Sequence, residues 1–153
     1  MTIRLAIAVS AGSLMVGASL AASPEPNRAM VGVPEPQRAR INWILKCQGC
    51  HRADGTGTSA TAPALAGQVS RFTSLSGGRA YLGRVPGVAD AALGDAELAE
   101  LLNWTLQHFD RANLQSDFKP YTAREINTLR RSPLRTDATA ARTAILSQAS
   151  ATR

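Results

Sequence analysis

The chain is poor in the side chains that most often hold metals. Its 153 residues include two cysteines, two histidines and three methionines. A zinc site would need a second ligand pair beyond Cys47, Cys50 and His51, and only His108 is left to supply it. Methionine does not occur after Met30. No stretch alternates apolar and polar residues over the length of a strand, which excludes a sheet protein and leaves an all-α chain. Beyond Leu20 no apolar run approaches the roughly 18 residues a membrane span requires. Lysine is almost missing, so the net charge of +6 is carried nearly entirely by arginine.

Against these shortages stands Cys47-Gln48-Gly49-Cys50-His51, which holds both cysteines and one of the two histidines. On a helical turn, positions i, i+3 and i+4 share a face, so Cys47, Cys50 and His51 point the same way. Cys-x-x-Cys-His is the attachment signature of haem c. Two thiols can form thioethers along one porphyrin edge, and the imidazole is left under the iron as axial ligand. A bare Cys-x-x-Cys also suits a redox dithiol, half a zinc site or a simple disulfide. A redox dithiol of the thioredoxin kind wants a βαβ setting and has no use for the adjacent histidine.

The amino terminus has the form of a secretory signal peptide over 1–22. Arg4 precedes an uncharged run from Leu5 to Leu20, and small residues at Ser19-Leu20-Ala21-Ala22 offer a cleavage site. An uncleaved membrane anchor is the alternative. Cleavage implies an exported, periplasmic protein with no membrane attachment, whose haem is joined after translocation. A basic exported chain suits redox partners with acidic docking surfaces, and export argues against nucleic acid. Residues 23–36 carry four prolines and read as an extended arm.

From Gln37 the pattern turns helical, with Ile41, Ile44, Leu45, Cys47 and Gln48 at helical spacing and Trp43 on the flank. Asp54-Gly55-Thr56-Gly57 breaks it into loop. A short helix is expected within Gln68–Leu75. A strongly amphipathic one is expected over Asp95–Phe109, capped by Asp95 and buried through Leu98, Leu101, Leu102, Leu106 and Phe109. Thr122-Ala123-Arg124-Glu125 is a capping-box pattern opening a helix that Pro133 ends. An alanine-rich helix closes the chain over roughly 137–148.

Helix, haem motif, glycine loop, Pro-x-Leu and final amphipathic helix together resemble a class I c-type cytochrome over residues 37–109, with 110–153 a C-terminal helical extension. The resemblance implies a cytochrome c-like all-α fold, one covalent haem c and single-electron transfer between redox enzymes rather than enzymatic turnover. It implies that the Pro63 carbonyl accepts the ring N–H of His51. It also implies a methionine in the loop before the last helix as the distal iron ligand. Here that loop reads from Arg84 to Asp95 without one, and Gly87, or else Val85, falls at the place. The candidates to replace it are His108, Met30, Tyr81 and Lys119, or nothing at all. An open iron would suit a second function, binding a small gaseous ligand or peroxide. A third reading makes the chain a haem-bearing subunit of a larger oxidoreductase, docked through the extension.

Overall fold

A computed structural model describes residues 29–58 and 62–151. The signal-peptide reading and the first part of the arm lie outside the described residues. Among these, seven α-helices and two short 3₁₀ turns make up the regular structure, and the only pairing of extended backbone is an isolated bridge between Thr58 and Ala62. The fold is the all-α one expected.

Helix α1 (Pro36–Lys46) starts with proline at its first position, where a missing N–H costs nothing, and places Lys46 on its carbonyl-rich end. The chain then tightens into the single turn α2 (Gln48–His51), which Arg52 ends with a φ of 61°. A 3₁₀ turn (Ser70–Ser74), α3 (Gly78–Arg84) and the one-turn α4 (Pro86–Ala89) follow. The segment that reads as loop around Val85-Pro86-Gly87 is therefore partly helical, because Pro86 fits the first position of a helix as Pro36 does.

Helix α5 (Asp95–Phe109) spans the residues its hydrophobic period predicts, and all of Leu98–Gln107 is buried. Asp95 does not cap it. Gly94 holds the cap position, and the Asp95 carboxylate turns instead to Arg130 and Asn127. Helix α6 (Ala123–Arg130) starts as its capping box predicts, the Thr122 hydroxyl accepting the Glu125 N–H. Helix α7 (Ala138–Ala151) buries no residue completely.

The core forms where α1 and α6 pack on α5 and where α3 packs on α6 and the first 3₁₀ turn. One expectation is reversed there. The face that α1 turns to α5 is Ala39, Asn42 and Trp43, while Ile41, Ile44 and Leu45 lie 54%, 42% and 68% exposed. The reason is fit: Ala39 lets the two helices approach, and Trp43 packs 6.0 Å from Trp104 between ring centres. The end of the arm is not loose either. Val31 exchanges hydrogen bonds with the Gln107 side chain, and the Glu35 N–H donates to Glu100.

Candidate functional site

Cys47, Cys50 and His51 sit where α1 gives way to α2. The Cys47 carbonyl accepts the N–H groups of Cys50 at 3.2 Å and His51 at 3.0 Å, so the three residues lie on successive positions of one turn. Both thiols are free, Cys47 half-buried and Cys50 exposed. Burial, with a smaller contribution from Cys50, pushes the Cys47 thiol up to about 11. It is therefore protonated at neutral pH and a weak nucleophile.

The His51 ring is oriented from behind. Its Nδ1 lies 3.1 Å from the Pro63 carbonyl oxygen, which can only accept, so Nδ1 carries the hydrogen and Nε2 keeps its lone pair. Burial lowers the affinity of the ring for a second proton, and the Pro63 contact opposes this more weakly. A neutral imidazole with Nε2 free is the form that binds a metal. The loop that returns Pro63 to this position depends on glycine. Gly57 has φ +73°, donates to the His51 carbonyl at 3.0 Å, and leaves no room for a Cβ against the Ala62 and Pro63 carbonyls.

Trp43 lies behind the motif with ring centres 6.1 Å from His51 and 4.5 Å from Phe109. Its Nε1 is buried without a hydrogen-bond partner. Sequence reading put Trp43 on the flank of α1 and missed this central position. The signal available was its place one helical turn before Cys47.

Two free thiols, an imidazole with one nitrogen engaged and the other free, and an orphaned indole N–H beside them form a donor set that fits haem c. Cys47 and Cys50 would hold it covalently, and His51 would face its iron.

The residues considered for the opposite face are scattered. His108 is exposed, its ring stacked at 4.2 Å on Trp104 and edge-on to Phe109, and burial followed by the nearby Arg40 charge lowers its proton affinity. Met30 is half-buried and packs against the core. Tyr81 stacks on Phe72 at 5.3 Å and lines a groove with Ala141, Ala144 and Ile145 of α7. Lys119 is exposed, and its carbonyl accepts from Arg79. None of these contacts joins a candidate to the 85–94 segment. Gly87 is exposed, and a Cβ there would meet nothing within 4 Å.

No family model matches the chain. It is similar to cytochrome c-552 of Thermus thermophilus, with 34% identity over 103 aligned positions that cover 56% of this chain and 79% of the relative. A cytochrome c-552 from a second strain of Thermus thermophilus aligns at the same 34% identity, with 70% of its length covered.

Proposed function

The chain belongs to the c-type cytochromes, and from that premise we propose that it is a periplasmic monohaem carrier of single electrons between redox enzymes. Haem c, when bound, supplies one-electron chemistry at its iron. The cytochrome unit is residues 37–109, preceded by the signal peptide and arm and followed by the extension 110–153. Cys47 and Cys50 anchor the haem, and His51 is the axial ligand. The observation that carries this is the 3.1 Å contact from His51 Nδ1 to the Pro63 carbonyl. It fixes the tautomer and aims Nε2 to the side on which both thiols stand. The role asks no side chain to act as acid or base.

Docking falls to the exposed edge around Cys50. Ile41, Ile44 and Leu45 make an apolar face on the adjoining helix, with the exposed cations Arg40, Lys46 and Arg52 close by in the chain. That pattern suits a partner surface with an apolar centre and an acidic rim. A second copy of this chain would bring like charges together.

A second reading is supported by the open space at Gly87. If residues 85–94 face the iron opposite His51, no side chain there reaches it, and a small gaseous ligand can bind. Optical spectra of both oxidation states, with and without carbon monoxide, test both readings. A five-coordinate ferrous form that takes up carbon monoxide supports the open site. A low-spin form indifferent to carbon monoxide removes it and leaves a carrier with an internal sixth ligand. A purified, exported protein without covalently bound haem would overturn the proposal as a whole.

A further inference from the structure

The segment joining α4 to α5 is Asp90-Ala91-Ala92-Leu93-Gly94, short side chains with little means of fastening themselves. Its fastening comes from α6. Arg130 donates from Nε to the Ala89 carbonyl at 3.1 Å, from Nη1 to the Leu93 carbonyl at 2.9 Å and to Asp95 Oδ1 at 3.0 Å, and from Nη2 to the Ala91 carbonyl at 2.6 Å. One guanidinium thus gathers three backbone carbonyls and a carboxylate from seven consecutive residues. Its planar fork of five donors suits this, whereas an ammonium would act as a single point charge.

The surroundings hold the guanidinium in turn. Arg130 is only 21% exposed, and Asn127 donates to the second oxygen of Asp95 at 2.7 Å. On the other side of the segment, the Leu134 N–H donates to the Arg84 carbonyl at 2.8 Å, and Arg84 Nε donates to the Ser132 carbonyl at 2.6 Å. Leu129 packs so closely on α3 that a Cβ at Gly83 would come within 2.5 Å of it. Arg135 pairs with Asp90 at 2.9 Å, but both are exposed to solvent and such a pair contributes little.

We propose that Arg130 is a positioning residue: through these four hydrogen bonds the extension holds residues 85–94 at a set distance from the iron, doing for the segment what a metal–ligand bond within it would otherwise do. This rests on the reading that the segment faces the iron opposite His51 with no ligand of its own. Access to the open position then depends on a side chain that touches neither haem nor ligand.

The test uses the full-length ferrous holoprotein, with carbon monoxide as probe and Arg130→Ala, Arg130→Lys and Arg135→Ala as variants. Amide hydrogen exchange at 88–93 is expected to speed up by at least about tenfold in both Arg130 variants, with α1 and α2 unchanged. The carbon monoxide association rate should change several-fold in the same two variants and stay at the wild-type value in Arg135→Ala. Unchanged exchange in Arg130→Ala overturns the clamp. Full protection in Arg130→Lys overturns the fan of hydrogen bonds as its cause. Faster exchange with an unchanged carbon monoxide rate means the segment does not border the iron, and the proposal falls at that point. A wild-type protein that refuses carbon monoxide overturns the open-site reading itself, before any variant is compared. Because exchange is local, a variant that is merely less stable is recognised by loss of protection throughout.

Discussion

Replacing Asn103 by leucine keeps the side-chain volume close to the original and removes both polar atoms. In the wild type Asn103 is 1% exposed; its Nδ2 donates to the carbonyls of Gly32 at 3.1 Å and Tyr121 at 3.0 Å, and its Oδ1 accepts the Tyr121 N–H at 2.8 Å. One side chain therefore ties the end of the arm and the start of the extension to α5. Gly32 is exposed, so water can replace its lost donor. Tyr121 is buried, and stranding its N–H and carbonyl costs about 1–3 kcal/mol each. The added apolar burial of leucine returns about 1–2 kcal/mol. The net loss is about 3 kcal/mol, a large part of the roughly 5–15 kcal/mol that holds a domain folded. For a chain of this size that lowers Tm by about 6–12 °C. Urea unfolding followed by far-ultraviolet circular dichroism measures it in the holoprotein. A loss below about 1 kcal/mol would refute the reasoning, since it would mean that Tyr121 finds other partners and that Asn103 is not what joins the extension to the core.

Gly57→Ala places a side chain at φ +73° against the Pro63 carbonyl. It should cost at least about 2 kcal/mol and lower the yield of covalent haem per protein, read from the alkaline pyridine spectrum. His108→Ala should leave the spectra of both oxidation states unchanged, because the ring lies on Trp104; a changed Soret band would show that it reaches the iron. Ile44→Glu with Leu45→Glu should alter stability by no more than about 0.5 kcal/mol, since both side chains are exposed. The same pair should slow electron transfer at a gold electrode coated with mixed alkyl and carboxylate thiols by about tenfold, and an unchanged rate would move docking elsewhere. Asp95 accepts from Asn127 and Arg130, and both bonds hold its carboxyl below the ordinary value of 3.8. A depressed folded value adds stability above the ordinary one and loses it as pH falls through the folded one. The segment held by Arg130 should therefore loosen below about pH 4, and Asp95→Asn should flatten the exchange profile there.

The haem motif was legible because it is local. Spacings of three and four residues determine which side chains share a turn, whatever the rest of the chain does. The span of α5 and the Thr122 cap at the start of α6 were legible for the same reason. The inner face of α1 was not. Ile41, Ile44 and Leu45 are the more apolar set, yet Ala39, Asn42 and Trp43 face α5, because a close helix crossing selects for shape as well as hydrophobicity.

By itself, then, the sequence determined an all-α chain with one cysteine pair and one histidine arranged for haem, and a distal segment without methionine. The tertiary structure alone decided what holds that segment. Arg130 stands 35 to 41 residues from the groups it binds, and Asn103 stands 71 and 18 from its own. Neither residue belongs to a pattern that a short window can contain. Hydrogen bonds over such separations exist only once packing has brought the carbonyls together, and so they are read from the fold.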